Sequence, residues 1–498
     1  MKKHNALNVI VAILGGWWAL ILFAINTLKC KFKCKFYKIC YIFLGKRKYI
    51  RKYIKHTKSY KSKFLPIYFA FKHFKQAYSW ICSSEFKKNY FDTKHPYPPL
   101  LNPATIDYAK ISPNLAYALN LPLPRVYDCI FLRIYGCASG ASIVYLKKCG
   151  FFVTKSFQDS GFSFWQGYCD IYGELQKPKS SKIVLDLLLH DFDEKFLYLV
   201  DRNVPLLLVT RDPISVIKTY ANHTGPAANK IRDFNLTFDY DKILATNLKY
   251  DNGKNPSVAD FTHYAMGRHF FTFERALAHF KANEKIIIDA KDLAQDKVYD
   301  TLKFLSKRLD FTLPSKENLE NIENTTLLLH WLNVRLWLYD EDVPNIFIKG
   351  KINKENSKSL KNKNGISVLI ATPFMLDVYY VASEYEHFSG IYPKGFCLYI
   401  KKDEAKILYA KQKLYKACVQ YLSGFCQALE NKIQVENKKR LSENDVLAYF
   451  ASHNDKKALY KREFDINLHT IKSLAPDIIG TWQHYSAFEK LCKDNDKF

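Results

Sequence analysis

The sequence predicts an α/β protein: a parallel sheet flanked by helices. Three observations carry this expectation. From residue 127 onward, short and almost wholly apolar runs recur: CIFLRIY (129–135), FFVTK (151–155), KIVLDLLL (182–189), PLLLVT (205–210) and KIIIDA (285–290). Runs without in/out alternation suit parallel strands covered on both faces. Between and after them lie stretches of helical pattern, clearest in AMGRHFFTFERALAHFK and in the amphipathic YDTLKFLSKRL (299–309), as crossover connections need. Finally, 498 residues with 48% hydrophobic and 15% aromatic side chains exclude a disordered or collagen-like chain and suffice for two or three structural units.

In chain order, residues 1–28 form the first element. Val9 to Ile25 is an uninterrupted apolar run, at the short end for a bilayer span, and is expected to be a membrane-anchor helix. The alternatives are an interfacial helix or a buried one. Residues 29–85 are a basic juxtamembrane segment. Residues 1–84 hold 18 Lys and Arg and no acidic residue, so of the net charge of +27 only +9 remains for the other 414 residues. The excess is therefore local. It suits an anionic membrane surface, and the positive-inside rule places the body on the cytoplasmic face. Cys30, Cys34 and Cys40 stand where juxtamembrane acylation occurs. The twelve cysteines show no CxxC pair and no zinc spacing, which suggests reduced thiols in a cytosolic compartment. Nucleic acid is not expected as a partner, since no recognition motif follows the basic block.

Residues 86–126, rich in proline, read as an extended linker. Residues 127–334 are the α/β core, with 213–282 mostly helical. Residues 335–402 are a mixed insertion with a Lys/Asn-rich loop and the β-like runs ISVLIA, DVYYVA and FCLYI. Residues 403–498 read as helices.

Two elements of the core carry chemistry. The first strand ends in Gly136, Cys137, Ala138, Ser139, Gly140, Ala141 and Ser142, then continues as a helix. Small side chains let backbone N–H groups approach a phosphate, and a helix N-terminus adds positive field. Spacing and the absence of a Lys before Ser142 exclude a Walker A loop. A tight turn without ligand is the plain alternative. Further on, Arg211-Asp212-Pro213 follows a buried strand, and Thr219 lies eight residues after Arg211, two helical turns along. Arginine there faces the crevice where α/β sheets bind ligands; a local Arg211–Asp212 salt bridge is the structural alternative. His190, at the end of KIVLDLLLH, has a reference pKa near 6.5 that suits proton abstraction at neutral pH. Asp191 is the other candidate base.

Together these features resemble the sulfotransferase family that uses 3′-phosphoadenosine 5′-phosphosulfate (PAPS). Gly136–Ser142 resembles its 5′-phosphosulfate loop, and Arg211 to Thr219 its 3′-phosphate motif. Residues 285–311 resemble its strand, acidic-Asp-Leu turn and helix, with Lys291 where Glu is usual. Gly480-Thr-Trp482-Gln-His-Tyr485 resembles the C-terminal segment that closes over the nucleotide, with Trp482 set to stack on adenine and Thr481 and Gln483 where basic residues are frequent. The matched stretches, about 128–311 and 478–490, cover under half the chain. The chain also resembles an uncharacterised family of bacterial surface-glycan loci.

The resemblance implies a P-loop-like sulfotransferase core, completed by the C-terminal helices. It implies PAPS as co-substrate, no metal, and transfer of a sulfuryl group to a hydroxyl of a capsule or lipid-linked saccharide precursor. His190 or Asp191 would be the base. One departure is prominent: Ala138 stands where the family's loop lysine lies, leaving Arg133, Lys147, Lys148 and Lys155 as substitutes. The alternatives are a nucleotide-sugar glycosyltransferase and a non-catalytic, membrane-tethered assembly protein.

Overall fold

The computed structural model describes residues 74–155, 164–177, 179–188, 194–223, 231–248, 250, 255–263, 273–320, 329, 332–339, 365–373, 375–376, 380–393 and 395–494. Two compact units divide the chain, residues 1–93 with 100–102 and the remainder. The expected anchor (1–28) and most of the basic segment (29–85) lie outside the described residues. Among the described residues no helix is long and apolar enough to cross a membrane. In the first unit, helix Phe74–Ile81 is followed by the short turn Ser84–Phe86, whose N-cap Ser83 accepts the Phe86 N–H. Trp80, Phe86 and Tyr90 pack their rings there, with centroids 5.5–6.0 Å apart.

The second unit contains two sheets. The first is parallel, with strand order β2-β3-β1-β4-β6. Its members are β1 (Cys129–Arg133), β2 (Phe152–Val153), β3 (Ile183–Leu188), β4 (Leu206–Thr210) and β6 (Lys285–Asp289). Each coincides with one of the five apolar runs, and β1, β3 and β4 are buried along their whole length. The chain builds one side of β1 with β2 and β3, then crosses to the other with β4 and β6. That reversal opens a crevice at the carboxyl ends of β1 and its neighbours. Helices α1 (Ser139–Lys148), α2 (Phe164–Leu175), α3 (Pro213–Ala221) and α4 (Val298–Leu309) connect these strands or follow them.

The second sheet is mixed, with order β5-β7-β8-β10-β9. It joins β5 (Asp233–Asn235) to β7 (Asn333–Leu338), β8 (Ile366–Ala371), β9 (Tyr385–His387) and β10 (Cys397–Lys401). Its core holds Phe234, Leu336, Val368, Ile370 and Ile400, and is covered by α5 (Lys402–Ala410) and α6 (Gln412–Asn437).

Several expectations need correction. Residues 103–126 are not an extended linker. They hold helix Pro113–Ala118, and they pack on α2 through Tyr168 Oη to the Leu121 carbonyl and Tyr172 Oη to the Ile111 carbonyl. The core boundary at 334 is also crossed, because β5 pairs with β7. ISVLIA and FCLYI are strands, but the described part of DVYYVA is a bend entering a 3-10 turn (Ala382–Glu384). The C-terminal helices divide between the sheets. α5 and α6 serve the second, while α7 (Glu443–Ser452), α8 (Asn454–Asn467) and α9 (Gln483–Asp494) form a block whose α7 and α9 pack on α3.

Candidate functional site

The turn after β1 is shaped by two residues with positive φ. Gly136 sits at φ +72°, and a Cβ there would lie 3.1 Å from Val216 and from Tyr220 of α3. Glycine is thus required both by backbone and by space. Ala138 is left-handed (φ 53°, ψ 27°) and caps α1 without a side-chain acceptor. The N–H groups of Ser139, Gly140 and Ala141 make no hydrogen bond among the described residues, as expected of an uncapped helix start. The first N–H of α1 to find a partner is that of Ser142, which bonds the Ala138 carbonyl at 3.0 Å. The buried Ser142 hydroxyl donates to the same carbonyl at 2.9 Å, whereas Ser139 is half-buried.

Arg211, the residue after β4, reaches this turn. Its Nη1 donates to the Gly136 carbonyl at 3.0 Å and to Thr219 Oγ1 at 3.1 Å. Thr219 in turn donates to the Ser215 carbonyl at 2.9 Å. Arg211, Thr219 and Gly136 therefore meet at one point. The guanidinium is half-buried, and Nε and Nη2 make no bond among the described residues. The side chain is not paired with Asp212. That carboxylate caps α3 at the Ile214 N–H (2.9 Å) and accepts the N–H groups of His484 and Tyr485 at the start of α9 (3.1 and 3.0 Å). Burial pushes its pKa up, against the pull of the Tyr485 and Ile214 N–H groups.

Cys137, beneath the turn, is fully buried, and burial pushes its thiol up to about 12, with Arg211 opposing and Asp289 adding. It is an inert packing residue, and its surroundings place Asp289 near the turn. Asp289 ends β6. It accepts the Lys291 backbone N–H at 3.0 Å and the Trp482 indole N–H at 2.8 Å. Trp482 is only 2% exposed. With its N–H committed and its ring enclosed, it ties the C-terminal block to the sheet and offers no open face to an adenine. The expectation of base stacking is corrected accordingly.

The substitutes for a loop lysine are placed as follows. Arg133, at the end of β1, forms a buried ion pair with Asp186 of β3 (Nε to Oδ1, 2.6 Å). Lys147 and Lys148 are exposed at the far end of α1, about 12 Å along the axis from the turn, and Lys148 Nζ bonds the Asn318 carbonyl. Lys155 is exposed, with its backbone N–H on Glu174. His190 and Asp191 lie outside the described residues, so nothing is said of their placement.

Three acidic residues that hold the site together went unread in the sequence. Asp186 was legible as a lone acid inside an apolar strand, which demands a buried partner. Asp289 closes its strand in the same way. Glu443 carried no such sign. It accepts Ser215 Oγ at 2.9 Å and Lys218 Nζ at 2.8 Å. Burial pushes its carboxyl up, but the bonds from Lys218 and Ser215 prevail and hold it near 2.

Fold and site together define an α/β protein with a cation poised over an uncapped turn at the carboxyl edge of its parallel sheet. Residues 287–494 match a family described as a protein of unknown function (DUF2972). No curated protein and no solved structure matches the chain.

Proposed function

We propose that the protein is a nucleotide-dependent transferase. In this reading the 136–142 turn and Arg211 hold the phosphates of PAPS, and the sulfuryl group passes to a hydroxyl of a surface-glycan precursor. The observation that supports it best is the bond from Arg211 Nη1 to the Gly136 carbonyl. It brings a guanidinium with two spare donor nitrogens beside three unbonded N–H groups, at a strand-order reversal. Anions bind at such helix starts, and arginine adds paired donors for phosphate oxygens. In the reaction the acceptor oxygen bonds to sulfur as the donor's bridging S–O bond breaks. The acceptor proton goes to His190 or Asp191, and adenosine 3′,5′-bisphosphate departs. The basic N-terminal segment supports a body held at the cytoplasmic face of an anionic membrane, where a lipid-linked acceptor would be met.

One observation favours a second reading. Ala138 carries no cation, and Arg133 is committed to Asp186, so a non-catalytic nucleotide-binding assembly protein is the competing proposal. Thermal unfolding separates the readings. A ligand at a hundred times its Kd stabilises the folded state by about 2.7 kcal/mol. Adenosine 3′,5′-bisphosphate is expected to raise the Tm of the wild type and to leave Arg211→Ala unchanged. Stabilisation by UDP alone supports a glycosyltransferase; stabilisation by neither rejects the nucleotide site. Sulfate transfer from PAPS to a saccharide acceptor then distinguishes enzyme from binding protein.

A further inference from the structure

We propose that Lys291 supplies the second positive charge of the anion site, leaving its resting partners to meet a phosphate of the bound nucleotide; this rests on the nucleotide reading above. Lys291 stands two residues beyond the β4–β6 rung Thr210↔Asp289, and Arg211 stands one beyond it. Adjacent strands lie about 4.8 Å apart, so both cations leave the same edge of the sheet, Arg211 from the strand beside β1 and Lys291 from the next one.

The surroundings of Lys291 let it move. Its Nζ bonds Thr481 Oγ1 and lies 3.6 Å from Asp289 Oδ2, and its side chain is 46% exposed. Both partners have other hydrogen bonds. Asp289 already accepts the Trp482 indole N–H and the Lys291 backbone N–H. Thr481 Oγ1 donates to the Ile478 carbonyl at 2.6 Å. Withdrawing the ammonium gives up the 3.6 Å ion pair with Asp289 but leaves both carboxylate oxygens hydrogen-bonded, Oδ1 to the Lys291 N–H and Oδ2 to the indole. Arg133 is in the opposite position: its guanidinium is buried in an ion pair with the buried Asp186. Of the two described cations at this edge that rest on a carboxylate, Arg133 and Lys291, Lys291 is the one held loosely enough to change partners. A ligand with two separated phosphates gains from two separated cations, whereas a monophosphate gains from one.

The test is calorimetric titration of the full chain with adenosine 3′,5′-bisphosphate and with adenosine 5′-monophosphate. Lys291→Gln is expected to weaken the bisphosphate at least tenfold and to shrink its advantage over the monophosphate. Lys291→Arg is expected to recover most of the affinity. Thr481→Val, which removes the resting partner together with the hydroxyl's bond to the Ile478 carbonyl, is expected to keep most of the wild-type affinity. Equal bisphosphate affinity in Lys291→Gln and wild type overturns the proposal. So does a loss in Thr481→Val as large as that in Lys291→Gln, because the tie and not the charge would then matter. Absence of binding in the wild type rejects the nucleotide reading itself and this inference with it.

Discussion

Arg133 and Asp186 show what a single buried pair asks of this fold. Both side chains are nearly sealed in the sheet, so removing one partner takes this ion pair from a buried charge. Arg133→Ala is expected to cost about 3–5 kcal/mol, and replacing both by apolar residues of similar size to recover most of it; denaturant midpoints measure this. Gly136→Ala places a methyl against Val216 and Tyr220 in left-handed backbone. The backbone alone costs about 1–2 kcal/mol, and displacement of the carbonyl held by Arg211 is expected to weaken nucleotide binding as well. His95 and His279 flank Tyr198, with ring centroids 4.8 and 4.5 Å away. Burial lowers both; His95 falls to about 4 against the pull of Asp201, with His279 and Lys281 adding to the fall, and Arg275 and Lys281 likewise act on His279. The unfolded chain therefore binds more protons below the reference value near 6.5, and stability falls as pH falls. Tm is expected to drop as pH is lowered from about 6.5 toward 4, and to drop less in a His95→Asn, His279→Gln double variant.

α3 is the element on which the site depends. Its cap Asp212 receives two N–H groups from α9, its Ser215 and Lys218 meet Glu443 of α7, and the Asn222 amide exchanges bonds with the backbone of Leu441 at 2.9 and 2.8 Å. Asp212→Ala is expected to cost about 1–2 kcal/mol as a lost cap, and to speed amide hydrogen exchange at the start of α9. A loss confined to α3 would reject this coupling. The parallel strands were legible because five apolar runs without alternation leave little else to be. β5 was not, since only Phe234 of its three residues is buried. Helix Pro113–Ala118 hid in a proline-rich stretch, although Pro113 stands at its first turn, a favoured place for proline. The turn and Arg211 were visible as types of residue, and their meeting through Gly136 was foreseeable from strand ends at one sheet edge. The role of Trp482 was misread, because sequence shows an aromatic ring but not whether it is enclosed. The division of the C-terminal helices was invisible for a related reason: an amphipathic pattern marks a buried face without naming what buries it.

At the scale of the molecule, the second unit joins a parallel sheet that holds the candidate site to a mixed sheet with its own core. α6 and α7 are consecutive helices that serve different sheets. The family match begins at residue 287, inside β6, whose described hydrogen-bonded neighbour is β4, and ends on α9, whose first turn is anchored to Asp212. That similarity therefore starts mid-strand and is not bounded by a folding unit. A fragment of residues 287–494 produced alone would carry an unpaired strand edge and bare the helix faces that α3 normally shields, both routes to self-association. It is expected to aggregate or melt without cooperativity, whereas residues 94–498 should melt cooperatively, as circular dichroism would show. Residues 287–494 taken alone would be less than half of this chain, without the glycine turn or the arginine that faces it.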